Sequence, residues 1–523
     1  MFGSPAKKLT KLNAQIDKAL EAKDQRALGE LFKKAFELVD NNDKDTSLDF
    51  LVAQQGLALK LLVINHVGQS VNMMGRIIAR AERLGHERTA FYAMVCRSYA
   101  HLLRETAPGY EYEGREALEK GIRLALEGDK NQLLRLIMVI DKYTDELTSY
   151  KLKSWIPRIY KQAVAAFDAK VGADAVPTAN MLVNFAPILM DSESADDQAL
   201  ALEAVDRILA IMAKSKLDPS DQACMLVRKA QILDKMGRTA EAYQLLRGTA
   251  GTAAGENAIL VAARLAEIEL RMERDPEQVE SALDQAMASV KGRIDPRMKM
   301  TFHGIKGYCA ALRGAESSTL ECAARLMACR SEKTDVGESD IAEIVADGLV
   351  HIASALSHAG NPETALQVID RATTIADSID DEFPDTKQDL LSSKAEILAA
   401  LGRNDEAEAI LTDDILEKLD DENLLDTTRH ADALIDLASV CINKKDYDRA
   451  RLALKNAWAM SAERGEKNND LAGHIYLWMG KLMMLTGQAD RGAEALRRAR
   501  ETFKARGGGV PLKARAILAE YGC

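Results

Sequence analysis

Few side chains in this 523-residue chain stand at spacings that chemistry could use. Asp43, Asp45 and Ser47 imitate the start of a calcium loop, with oxygen ligands at alternate positions. Such a loop needs Gly at its sixth position and Glu at its twelfth. Here those places hold Leu48 and Gln54, so the cluster reads as capping for a helix that starts near Leu48. His351 and His358 share a helix face two turns apart, as do Cys322 and Cys329. Two turns are about 10 Å, too far for either pair to chelate one ion unaided, and the two cysteines read as core packing. The glycine-rich stretch from Arg247 to Gly255 has no Lys after it to meet a phosphate, so it reads as a loop. The sequence contains no H-E-x-x-H, G-x-S-x-G or Walker A motif. An enzyme site in the N-terminal third would have to use the scattered His66, His86 and His101, which have no paired catalytic residue. The expectation is a non-enzymatic chain with no catalytic residue, cofactor or metal.

Composition indicates what holds such residues. The chain is too long for one globular core, so several domains or a repeat array are expected. Hydrophobic residues make up 47%, aromatics only 5%, and Pro numbers 11. A core of Ala, Leu, Ile and Met favours helices throughout. The net charge of −11 disfavours nonspecific nucleic-acid binding. No run reaches the roughly 18 apolar residues of a membrane span, and the N-terminus lacks the apolar stretch of a signal peptide. The seven cysteines are never in a C-x-x-C pair, which fits reduced thiols and a cytoplasmic location.

The elements repeat. Residues 431–460 and 473–502 align without a gap, with Leu434, Leu437, Ala438, Cys441, Tyr447, Ala450, Leu454 and Ala457 falling on Tyr476, Met479, Gly480, Met483, Ala489, Gly492, Leu496 and Ala499. Each copy is two amphipathic helices around a tight turn, a unit that buries its apolar face only by stacking. The small packing residue recurs at Ala230, Gly307, Ala353, Ala395, Ala438 and Gly480. Seven positions after it, a glycine suited to positive φ recurs at Gly237, Gly314, Gly360, Gly402 and Gly487. A looser copy lies near Glu267. Five irregular hairpins precede Pro219, which gives about twelve in all. The expected divisions are 1–215, irregular hairpins; 216–506, the regular array; and 507–523, a capping helix with Pro511 at its first position.

The hairpins resemble tetratricopeptide repeats, most clearly through Tyr447-Asp448-Arg449-Ala450 and Gly402-Arg403-Asn404-Asp405-Glu406-Ala407. The usual repeat-end proline is mostly missing, and the period of about 42 is longer than the common 34. In length the repeats are similar to those of kinesin light chain-like and bacterial Rap-like regulators. The resemblance implies an all-α, right-handed superhelical solenoid of antiparallel helical hairpins. It also implies a concave groove that is lined by the first helix of each repeat and holds a peptide. Carried across, the groove residues are Asp347, His351, Ser354 and His358, then Asp389, Ser392, Ser393 and Glu396. Asp432, Asp436, Ser439 and Asn443 follow, then His474, Trp478 and Lys481. Five carboxylates against one Lys suggest a basic or amphipathic basic segment as ligand, with Trp478 as an exposed aromatic anchor. The Lys–Asn–Arg clamp for a terminal carboxylate, used by chaperone-binding members, is not found.

Charge is uneven along the chain. Asp380–Asp426 holds 16 acidic and 4 basic residues, and Arg491–Arg515 holds 8 basic and 2 acidic. Either these are solvated outer faces, or the acidic belt meets the basic end in self-association. The sequence therefore leads to a protein-interaction scaffold or adaptor, with a peptide-responsive regulator acting through superhelix rearrangement as the alternative. No nucleic acid or membrane insertion is expected.

Overall fold

The computed structural model describes residues 4–523 except 43, 107–108, 151, 193, 216–218, 333–336, 379–383, 418–426, 464–468 and 506–508. It is all-helical and divides into two compact units, Met1–Leu217 and Asp218–Cys523.

The first unit contains five antiparallel hairpins. They are α1 (Pro5–Glu21) with α2 (Gln25–Asn41), α3 (Leu48–Val63) with α4 (Val67–Arg83), and α5 (Ala90–Thr106) with α6 (Glu111–Leu126). Next come α7 (Lys130–Ser149) beside α8 (Ile156–Phe167), and α9 (Val176–Met190) with α10 (Ala195–Lys214). Local chemistry starts these helices. The Asp24 and Asp129 carboxylates accept the backbone N–H of Ala27 and Gln132 at 3.0 and 2.9 Å, which satisfies donors that have no partner in the first turn.

The second unit contains seven hairpins. They begin with α11 (Pro219–Lys235) and α12 (Thr239–Ala250), α13 (Glu256–Arg271) and α14 (Pro276–Ser289), and α15 (Pro296–Leu312) and α16 (Glu316–Ala328). They continue with α17 (Glu338–His358) and α18 (Pro362–Asp377), then α19 (Pro384–Ala400) and α20 (Asn404–Ala409), which runs on into a π-helical stretch, Ile410–Leu416. The last are α21 (Thr427–Asn443) with α22 (Tyr447–Glu463) and α23 (Asn469–Leu485) with α24 (Ala489–Ala505). A single helix, α25 (Leu512–Glu520), ends the chain. Each first helix packs on its own partner and on the first helix of the next hairpin, from α11 through to α23. This is the stacked-hairpin architecture of a tetratricopeptide-like array.

The small residues sit at those contacts. Ala230, Ala353, Ala395 and Ala438 are fully buried. A methyl on Gly480 would come within 2.8 Å of Leu496 Cγ and 3.1 Å of the Gly492 carbonyl, so only glycine lets α23 and α24 approach this closely. Gly237, Gly314, Gly360, Gly402 and Gly487 all have positive φ. The same left-handed place is taken by Glu273 (φ 62°) and Lys445 (φ 63°), seven residues after the buried Ala266 and Ala438. The looser repeat near Glu267 thus keeps the turn and substitutes its glycine.

Candidate functional site

The inner face of the second unit is formed by α17, α19, α21 and α23, and it carries the residues assigned to the groove. Asp347 and His351 on α17 are well exposed and 3.6 Å apart, and the His351 ring meets the Tyr308 ring edge-on. Asp389 and Asp432 are exposed on α19 and α21, as is Asn443 at the end of α21. Enclosure by the groove, reinforced by Asp347, raises the Asp389 carboxyl above its usual value. His474 on α23 sets its ring against Phe503. Ser439 is buried and donates its hydroxyl to the Asp436 carbonyl at 2.7 Å.

The remaining residues converge on a segment that the sequence reading placed elsewhere. Helix α25 is not a cap stacked on the last hairpin alone; it lies on the inner face, against α23 and α17. Its Lys513 ammonium reaches Asp436 Oδ1 on α21 at 2.8 Å and Glu396 Oε1 on α19 at 3.4 Å. His358 Nε2 on α17 is 3.7 Å from the same Glu396 carboxylate, and its Nδ1 is 2.7 Å from the Ser354 carbonyl. Burial opposes the charge on Lys513, but Asp436 and Glu396 outweigh it and hold the ammonium well above its usual pKa. Burial would also raise Glu396, but Lys513 and then His358 outweigh it and keep this carboxyl below its usual value. For Asp436 burial wins over Lys513, and the carboxyl is raised.

Trp478 requires a correction. It is not an exposed anchor but only 6% exposed, because the Lys513 and Lys481 side chains lie across its ring, each ammonium 5.7 Å from the ring centroid. Such cation–π contacts strengthen when desolvated. The indole Nε1–H beneath them has no hydrogen-bond acceptor. Lys481 also reaches Glu520 of α25 at 3.4 Å. Pro511 is corrected as well: it is the N-cap of α25, not its first helical residue.

The segment before α25 reaches further along the unit. The Gly509 backbone lies so close to the Arg271 carbonyl that a side chain there would collide with it. Val510 N–H donates to Glu273 Oε1 at 3.3 Å, and Arg515 Nε is 3.4 Å from the same oxygen. Val510, Ala514, Ile517 and Leu518 are buried in one apolar cluster with Leu437, Trp478 and Leu482. Lys513 and Arg515 are therefore held within the same chain by Glu396, Asp436 and Glu273 of the second unit.

Among the described residues of this unit, the exposed large aromatic is Trp458, which lies outside the residues expected from the sequence. It is 39% exposed, its ring lies 5.2 Å from Tyr476, and together with Leu454, Met479 and Met483 it lines a cleft of about 390 Å³ between α22 and α23. The histidines considered for catalysis have separate local tasks. His66 is the N-cap of α4, His86 Nε2 is 3.1 Å from the Thr46 carbonyl, and His101 pairs with Glu146. Cys322 and Cys329 are buried, and burial raises both thiols, Cys322 to about 11. No cluster of metal-ligating side chains occurs among the described residues, and Asp43 lies outside them.

Comparison with known proteins finds no matching family model and no matching curated protein. Solved structures do match. A Rap protein complexed with competence and sporulation factor is 14% identical, with 58% of this chain and 80% of that chain covered and a TM-score of 0.38. A tetratricopeptide repeat protein from Parabacteroides merdae is 15% identical, with 58% and 99% covered and a TM-score of 0.36. The APC/C hetero-tetramer Cut9-Hcn1 matches at 10% identity, with 98% and 96% covered and a TM-score of 0.33.

Proposed function

We propose that this protein is a non-enzymatic scaffold that holds a basic, helical segment of another protein on the inner face of its second unit. The observation that carries this reading is Lys513, seated between Asp436 and Glu396 and over Trp478. It supports the reading through its chemistry: an ammonium between two carboxylates, on a helix that buries aliphatic side chains beside it. Asp347, Asp389 and Asp432 extend the acidic surface beyond α25. Seven free cysteines suit a reducing, cytoplasmic setting, and no described helix is long and apolar enough to cross a membrane. Affinity capture with the full chain, compared with a Glu396→Gln/Asp436→Asn chain, tests the reading. Loss of a captured partner carrying a basic helix is expected from the variant. An identical captured set would overturn the proposal.

The peptide-responsive regulator is the second reading, and one observation favours it. The C-terminal segment links Glu273 to α23, so its displacement would free two distant hairpins of the unit. Small-angle scattering of the full chain with a bound basic peptide should then show a changed radius of gyration. An unchanged profile at saturation would remove the regulator and leave the scaffold.

A further inference from the structure

Among the described helices of the second unit, α25 is the one that packs against the first helices of two separate hairpins, α17 and α23, far apart in sequence. It is nine residues long, shorter than an isolated helix needs to be stable in water. It is held instead by side chains aimed at the groove: Lys513 into Asp436 and Glu396, Arg515 onto Glu273, and Glu520 onto Lys481. Ile517 and Leu518 fill the apolar bed between these ion pairs. None of these contacts depends on the segment being covalently joined to the array. A separate peptide with the same side chains could make all of them.

The fit is also incomplete. Trp478 is 94% buried, and α25 covers its ring with a cation but offers no acceptor to the indole N–H. A buried donor without a partner is costly. A segment that placed a hydroxyl or amide oxygen there would gain a hydrogen bond that α25 does not make. The exposed carboxylate of Asp389 adds negative charge beside this bed. The groove thus holds an occupant of the right chemistry that a better one can exceed.

We propose that the segment from Gly509 to Cys523 is an internal stand-in for the partner. The partner is a short helix with Lys and Arg two residues apart and an aliphatic pair two residues further on, and it enters the groove by displacing α25. This rests on the reading of the groove given above and adds the partner's pattern and the competition that guards the site. Because the tail is tethered, its effective concentration is high and it disfavours weaker segments. Specificity then comes from having to outcompete α25, not only from affinity for an open groove.

A fluorescent peptide of residues 509–523 tests this when titrated against four versions of the chain. These are the wild type, Lys513→Glu, Arg515→Glu, and Lys513→Glu with Glu396→Gln/Asp436→Asn. The Lys513→Glu chain should bind the peptide at least about ten-fold more tightly than the wild type, a gap of about 1.4 kcal/mol. Neutralising Glu396 and Asp436 should remove that gain. Arg515→Glu, which loosens the tail at Glu273, should move affinity in the same direction by less. It serves as the second variant, with circular dichroism confirming that each chain keeps its helix content. Equal binding by wild type and Lys513→Glu, abolished by the floor substitutions, would overturn the competition and leave the groove reading standing. No binding to any chain, or binding indifferent to Glu396 and Asp436, would overturn both. Concentration-dependent dimers of the wild type that disappear in Lys513→Glu would also overturn the proposal, in favour of tail exchange between two copies.

Discussion

Each unit sets carboxylates between the first helices of neighbouring hairpins, buried in the first unit and part-buried in the second, and the two units neutralise them differently. In the first unit Glu146 on α7 is 2% exposed and is met from α5 by Arg104 Nε and His101 Nδ1, both at 3.1 Å, and by Arg97 at 3.5 Å. Burial would raise this carboxyl, but His101 and Arg104 outweigh it and hold it below its usual value. Every cation comes from the adjacent repeat, so the cluster is complete within the array. In the second unit Glu396 and Asp436 take their shared ammonium from Lys513, 77 residues beyond Asp436 and outside the hairpins. A charge neutralised by its neighbours is part of the packing. A charge neutralised by a borrowed segment marks a surface that can exchange its occupant.

Four experiments would break or sharpen that contrast. Leu518→Ala should have the largest effect, costing about 3 kcal/mol of tail docking. Hydrogen exchange should show protection lost in 512–520 while the hairpins of the second unit keep theirs. Equal loss throughout the unit would make the tail part of the core. Glu146→Gln should destabilise the first unit by about 2 kcal/mol, because partly buried guanidinium groups lose their charged acceptor. In chemical denaturation the equivalent Glu396→Gln should cost the hairpins of the second unit less. If the two variants cost the same, the contrast fails.

Acid should separate the two ends of the Lys513 contact. Glu396 has a lowered pKa when docked, so its contribution is present above its undocked value of about 4.3 and is lost as pH falls through the lower docked value. Lys513 has a raised pKa, so its contribution is complete below about 10.4 and is lost as pH rises through the docked value. Asp436 is raised and works the other way, favouring the docked state as it takes up a proton. His358 and His474 also face Glu396 and help to hold its carboxyl low. The Trp478 emission of a Trp155→Phe/Trp458→Phe chain should therefore be flat near neutrality and change below about pH 4. A midpoint near neutrality would take control away from Glu396. The smallest effect belongs to the turns: Gly402→Ala should cost about 1 kcal/mol, while Lys445→Gly should be neutral or mildly stabilising in thermal melts.

The sequence carried the local part of this fold well. Recurring small residues and turn glycines marked the hairpins, and the later glycines all adopt positive φ. Glu273 and Lys445 escaped notice because their residue types give no signal, although a count of seven from Ala266 and Ala438 would have found them. The inner face was legible from the register of α17, α19, α21 and α23. What occupies it was not. The acidic and basic stretches were both plain in the sequence, but bulk charge does not specify which residues pair: Lys513 meets Glu396 inside the acidic stretch and Asp436 outside it. Trp478 was misjudged for a related reason: its register points inward, and Lys513 of the non-locally docked α25 joins Lys481 in covering it. Trp458 was overlooked because it lies on a second helix, outside the face taken as functional.

The meeting of Val510 and Arg515 with Glu273 has a mechanical consequence. Stacked repeats are coupled only to their neighbours, so such an array tends to lose its units one after another. A link from the second hairpin of the unit to the last adds an interaction that no nearest-neighbour sum contains. It closes a loop of 237 residues between Glu273 and Val510. With the link in place, the hairpins between these two points should melt together as one cooperative block. Once it is released, they should melt one after another.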